Sequence, residues 1–132
     1  MTNDTTTIRE MCDMFDVTPR ALRFYEAKEL LFPQRLGQKR LFTKRDRARL
    51  KLILRGKRFG FSLEEIRQLL DLYYKGDGQK LQLTESYKLA SKRLEDLEAQ
   101  RTELESAIAD LRDQLKWAEK MMSSLSQQRI AV

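Results

Sequence analysis

From Tyr87 to Leu125, apolar residues recur at alternating spacings of three and four. With position a at Tyr87, Leu94, Arg101, Ile108, Leu115 and Met122, position d falls on Ala90, Leu97, Leu104, Leu111, Ala118 and Leu125. Eleven of these twelve positions are apolar, and a seam sustained this far belongs to a coiled coil rather than to an ordinary surface helix. A helix beginning near Thr84 would be roughly 60 Å long at 1.5 Å per residue. The rest of the chain is too small to cover so long a stripe, so the expected partner is a second copy. Arg101 is the one polar seam residue, and it either sets the register or reaches out to solvent. Periodicity leaves parallel and antiparallel pairing equally open.

Charge divides the chain at nearly the same place. Residues 1–79 hold 17 Lys+Arg against 11 Asp+Glu, and residues 80–132 hold 9 of each. The formal charge of +6 is therefore confined to the first part. Most of it lies in Arg35–Arg58, where eleven cations face one acid, Asp46. A cationic surface joined to a helix that needs a partner matches the needs of a dimeric DNA reader. Phosphate neutralisation gives affinity, and pairing links two half-site contacts.

The remaining composition excludes several alternatives. Cys12 is the only cysteine and histidine is absent, so one chain cannot form a disulfide or a Cys/His metal cluster. Histidine-dependent and Cys-His catalysis are excluded as well. No phosphate-cradling glycine motif occurs, so we expect no enzyme, no catalytic residue, no metal and no cofactor. The polar start, Met1–Thr7, lacks an apolar signal core, and no apolar run nears bilayer length. A cytoplasmic protein without membrane contact is expected.

Local signals place five helices and a hairpin. Ile8, Met11, Cys12 and Phe15 share one face of a first helix, with Cys12 expected as a small buried side chain. After a turn at Asp16-Val17, Thr18-Pro19 supplies an N-cap and a favoured first helical residue. The second helix, Pro19–Lys28, turns Leu22 inward with Tyr25 or Ala21, and turns Arg20 and Arg23 outward. Pro33 and Gly37 then punctuate Leu30–Phe42, which reads as a β-hairpin wing or, alternatively, an irregular loop. Thr43 and Asp46 begin a third helix, Gly60 ends it, and Ser62–Glu65 is a capping box for a fourth. The expected organisation is mainly α: a winged helix-turn-helix DNA-binding domain over 1–74, a linker over 75–83 and a long dimerisation coiled-coil helix over 84–132.

Arg20 and Arg23 on the second helix can bind phosphate or read guanine, and Tyr25 offers a hydroxyl from a partly buried ring. Arg35, Lys39 and Arg40 lie on the wing. Lys44, Arg45, Arg47, Arg49, Lys51, Arg55, Lys57 and Arg58 lie on the third helix, where about half can face DNA at 3.6 residues per turn. The candidate DNA-binding set is Thr18, Arg20, Arg23, Tyr25, Gln38, Lys39, Arg40 and Lys44. The candidate dimerisation set is Tyr87, Leu94, Leu97, Leu104, Ile108, Leu111, Leu115 and Leu125.

These segments, in order, resemble a known family. Leu22-Arg23-Phe24-Tyr25-Glu26, Leu30-Leu31-Phe32-Pro33, Arg40-Leu41-Phe42-Thr43 and Gly60–Leu70 are similar to the MerR family of bacterial transcription regulators, from about Thr6 to Leu72. Gly37–Arg58 looks most like a non-metal branch that regulates leucine, isovalerate and related acyl-CoA breakdown. The resemblance implies an antiparallel coiled-coil homodimer on double-stranded promoter DNA. It implies that the dimer bends and untwists the spacer between promoter elements so that RNA polymerase engages both, and that an acyl-CoA-type effector acts on it. Arg20, Arg23 and Tyr25 would be helix contacts, and Lys39 and Arg40 wing contacts. The chain departs from the family pattern at Glu29, where Gly is common, and at Gln38-Lys39-Arg40, where Gly-Tyr-Arg is usual. It also lacks the cysteines that the metal-sensing branch carries near its dimer helix. The alternatives are a non-specific architectural or RNA-associated coiled-coil protein, and a coiled-coil scaffold.

Overall fold

The computed structural model describes residues 4–74 and 79–130, the side chains of 73–74, 79–82 and 129–130 excepted. The elements are β1 (Thr5–Thr7), α1 (Ile8–Phe15), α2 (Pro19–Ala27), β2 (Gln34–Leu36), β3 (Lys39–Thr43), α3 (Lys44–Arg58), α4 (Leu63–Tyr74) and α5 (Gln79–Ile130). By internal contacts the chain falls into two units, Met1–Lys88 and Leu89–Val132. Among the described residues, no helix is long and apolar enough to cross a membrane.

In the first unit the helices begin at side-chain caps. Thr7 accepts from the Glu10 N–H while Glu10 accepts from the Thr7 N–H, which is a reciprocal capping box. The Thr7 N–H, and after it the Thr7 hydroxyl, favour the charged Glu10 carboxylate and hold the carboxyl below its usual range. Thr18 caps α2 by accepting from the Ala21 N–H at 3.1 Å, with Pro19 in the first turn. Ser62 and Glu65 repeat the reciprocal arrangement before α4. Each box satisfies donors that a helix start would otherwise leave unpaired.

The wing is an antiparallel hairpin, so the irregular-loop alternative does not hold. Arg35 pairs with Arg40 and Leu36 with Lys39, which leaves a two-residue turn, Gly37-Gln38. Gly37 has φ +64, the left-handed conformation such a turn needs at its first position. A third strand was not expected. β1 pairs with β3 in the register Thr6↔Phe42, giving the sheet order β1-β3-β2. Three threonines suit a strand edge, but only the partner in β3 makes them one.

Among the described residues, the core is formed by Met11, Leu22, Tyr25, Leu30, Leu31, Phe42, Leu50, Ile53, Ile66 and Leu70. Cys12 packs against them but is only half-buried, short of the full burial expected. Burial, followed by the nearby Asp13 charge, pushes its thiol up, and Arg23 opposes this only in part. The expected extension of the buried stripe to Tyr73 lies outside the described side chains.

Two boundaries differ from expectation. The long helix starts at Gln79, not near Thr84. Gln79–Leu83 contains no Gly or Pro, and its residues favour helix, so the structure runs back through much of the expected linker. Residues 75–78 of that linker lie outside the described residues. The division between units falls at Lys88, within α5.

Glu29, where the family pattern has Gly, adopts a left-handed backbone conformation. Its φ is +60, a conformation that costs an L-residue roughly 1–2 kcal/mol. Its side chain is exposed, so replacement removes no packing. Glu29→Gly is expected to raise stability by about 0.5–1 kcal/mol after the extra flexibility of glycine in the unfolded chain is deducted. Urea unfolding at fixed chain concentration measures it, and an unchanged or lower midpoint contradicts the argument.

Candidate nucleic-acid interface

Helical periodicity sorts α2 into two faces. Leu22 and Tyr25 are buried, whereas Thr18, Arg20 and Arg23 are exposed. Tyr25, expected to offer its hydroxyl, is 2% exposed. It follows Leu22 by three residues, which puts both on the inner face, and its ring meets Phe24 edge-on at 5.8 Å between centroids. Tyr25 is a core residue that backs the outward-facing arginines.

Beside α2 stands the wing. The opposed pair Arg35 and Arg40 sets two like charges across the hairpin, which is unfavourable without a counter-charge. Glu26, on α2, supplies one. Arg40 Nε donates to its Oε1 at 2.6 Å, and Arg35 Nη2 lies 3.3 Å from Oε2. The Arg40 side chain is 22% exposed. Arg40 thus ties the wing to α2, while Gln38 and Lys39 at the turn stay exposed.

The basic tract divides between fold and surface. Arg47 donates to Thr6 Oγ1 at 2.6 Å and to Asp4 Oδ1 at 2.7 Å, fastening β1 to α3. Arg49 is buried, donates through Nε to the Leu30 carbonyl at 2.7 Å and covers the Phe32 ring. Lys39, Lys44, Arg45, Lys51, Arg55, Lys57 and Arg58 are exposed. Lys44 occupies the first turn of α3. Arg55, Lys57 and Arg58 occupy its last turn, where cations complement the helix dipole.

Of the candidate DNA-binding residues, Arg23, Gln38, Lys39 and Arg40 are brought to one cleft of about 310 Å³. Thr18, Arg20, Tyr25 and Lys44 are not among its lining residues. Sequence reasoning missed Arg9, which joins the cleft from α1. The available signal was its place on the polar face of α1, one residue past Ile8 and far in sequence from the basic tract.

In a single chain the large apolar residues of the α5 seam are exposed, and only Ala118 is half-buried. Tyr87, Leu94, Leu97, Leu104, Ile108, Leu111, Leu115, Met122 and Leu125 all present large apolar surface to solvent. Arg101 is also exposed and lies 3.9 Å from Glu105, one helical turn on. Among the described residues, no cluster of three or more His, Cys, Asp or Glu could hold a metal ion.

The chain is similar in sequence and fold to known proteins. The family model described as "MerR HTH family regulatory protein" matches residues 6–72, and the one described as "MerR, DNA binding" matches 47–114. The HTH-type transcriptional regulator ZntR of Escherichia coli (strain K12) is 37% identical over 101 residues, covering 75% of this chain and 70% of that protein. A MerR family transcriptional regulator from Bacillus cereus aligns with a TM-score of 0.67 at 29% identity, covering 83% of this chain and 78% of that one. HiNmlR, described as a MerR family regulator lacking the sensor domain and bound to promoter DNA, aligns with a TM-score of 0.61 at 25% identity, over 79% and 78% of the two chains. With its winged helix-turn-helix and long helix, this chain belongs to the MerR family of DNA-binding transcription regulators.

Proposed function

We infer that the chain works as a homodimer, paired antiparallel along Tyr87–Leu125, that binds double-stranded promoter DNA through α2 and the wing. The observation that carries this reading is the convergence of Arg23, Gln38, Lys39 and Arg40, from helix and hairpin, on one cationic cleft. Arg20 and Arg23 read bases, the turn at Gln38-Lys39 straddles the adjoining backbone, and Lys44 and Thr18 contact phosphate. Arg40 acts through the wing it holds. Two such heads linked by a coiled coil bend and untwist the spacer, so that RNA polymerase engages both promoter elements. HiNmlR, similar over most of its length, is a promoter-bound member of the family.

The non-metal branch is the reading that the side chains favour. One cysteine and no histidine leave no thiolate or imidazole cluster in a chain. Likeness of Gly37–Arg58 to regulators of leucine and isovalerate breakdown points to catabolic target genes and an acyl-CoA-type effector. Footprinting of DNA upstream of the neighbouring genes, with and without acyl-CoA thioesters, tests this branch. Protection that ignores thioesters but responds to a metal ion reverses it.

Base readout distinguishes this function from non-specific architectural binding. Arg20→Ala and Arg23→Ala are each expected to weaken binding to the footprinted promoter by about tenfold or more, and to weaken random duplex binding much less. Lys44→Ala should weaken both alike, because phosphate contacts carry little sequence information. Gel-shift titration at fixed salt separates the cases. Equal losses on both duplexes for all three variants support the architectural reading instead.

A further inference from the structure

We propose that the cleft between the start of α1 and the wing seats a single phosphodiester of the DNA backbone, with Arg9 and Lys39 as its ligands and Arg23 on the side that enters the groove. The proposal rests on the DNA-binding reading above and assigns one contact within it. Arg9 comes from α1, Arg23 from α2, and Lys39 and Arg40 from the hairpin, so four cations from three elements face one space. Among the described residues, Arg9, Arg23 and Lys39 form no ion pair. Arg40 alone is neutralised, by Glu26. Glu10, next to Arg9 in sequence, is bonded to the Thr7 N–H, and neither it nor Asp13, one helical turn on, lines the cleft.

Three cations held together without a counter-ion repel one another, and an anion relieves that repulsion. The placement indicates which anion. In a helix-turn-helix the first helix crosses the backbone while the second enters the major groove. A cation at the start of α1 therefore meets phosphate rather than base edges. A phosphate gripped from both sides by α1 and the wing also fixes the distance between them. Arg9 thus adds affinity without sequence information and sets the height at which Arg23 enters the groove.

Salt dependence provides the test, since each phosphate neutralised adds about 0.9 to the slope of log K against log salt. For a dimer with two clefts, Arg9→Ala should lower the slope by about 1.8 on promoter and random duplex alike. Arg9→Lys should restore most of it, because the charge is kept. Lys116→Ala, on α5, serves as the control and should change nothing. An unaltered slope in Arg9→Ala, in a protein whose circular dichroism matches the parent, overturns the assignment. So does a slope loss that Arg9→Lys fails to rescue. A titration with inorganic phosphate, followed by amide chemical shifts, forms the second arm. Phosphate-induced shifts at Arg9 that vanish in Arg9→Ala, combined with an intact salt slope, identify a small-anion site and reject the backbone contact. Failure of the parent protein to bind any duplex would refute the DNA-binding reading itself, and is thereby distinguished from failure of the Arg9 contact alone.

Discussion

Leu104→Lys is expected to turn a dimer into a monomer and to cost at least a hundredfold in promoter affinity. Leu104 is 62% exposed in the single chain, and nothing in its own fold covers it. The seam from Tyr87 to Leu125 is centred on Ser106. In the proposed antiparallel dimer, pairing about that centre would set Leu104 of one chain against Ile108 of the other, beside the twofold axis. A lysine there enters the interface twice, near its middle. Each copy removes a leucine whose burial contributes about 1.5–3 kcal/mol, and each brings an ammonium that must reach out to solvent. Loss of pairing also ends the linkage between half-sites, which by effective-concentration arguments contributes roughly 10²–10⁴ in affinity. Glu103→Lys alters charge one residue away, off the seam, and should leave the dimer intact. Sedimentation of both variants measures the result. A dimeric Leu104→Lys protein with unchanged DNA affinity would show that the seam has been assigned to the wrong residues.

What the sequence made legible was mostly what neighbouring residues decide. Thr18-Pro19, Thr43 with Asp46, and Ser62 with Glu65 announce helix starts because a cap acts within three residues. Gly37 marks the hairpin because a two-residue turn needs a left-handed residue at that point. The α5 seam is legible for the same reason, since a heptad repeat is a local rule applied many times. β1 was hidden because Thr5–Thr7 becomes a strand only by pairing with β3, more than thirty residues away. The start of α5 was misjudged because Lys75–Gly78 gives a strong break signal and nothing in Gln79–Leu83 marks the helix beginning.

The candidate site shows the same limit in its charges. A run of cations in sequence does not reveal which will find an acceptor. Arg47 reaches back to Thr6 and Asp4, Arg49 to the Leu30 carbonyl, and Arg35 and Arg40 to Glu26. Those partners come from elements distant in sequence, so the tract looked more uniformly available to DNA than it is. Arg9 shows the reverse error, an isolated cation that the fold carries to the others. Tyr25 follows Leu22 by three residues, which places its ring with Leu22 on the inner face of α2.

Asp46→Ala is expected to destabilise the DNA-binding unit by about 3–5 kcal/mol, although it removes only one carboxylate. Asp46 is 2% exposed. Its Oδ1 accepts from the Phe32 N–H at 2.9 Å, and its Oδ2 accepts from the Thr43 N–H at 3.0 Å and the Thr43 hydroxyl at 3.2 Å. One side chain thereby joins the segment entering the wing, the strand leaving it and the first turn of α3. Alanine leaves two half-buried backbone donors without partners, at about 1–3 kcal/mol each, and abolishes the capping box. Asp46→Asn keeps one acceptor oxygen and should lose about half as much. Urea unfolding at fixed chain concentration, with the denaturant slope checked for constancy, gives both values. The binding consequence follows from where those donors lie. Freed at Phe32 and Thr43, the hairpin loses its anchor at both ends, so Lys39 and Gln38 no longer hold their place beside Arg23. Below the unfolding midpoint, Asp46→Ala should therefore lose promoter selectivity before it loses helix content. A variant within 1 kcal/mol of the parent, with selectivity intact, would mean that the wing is held by its strand pairing, β1 included, and by the Glu26 bridge.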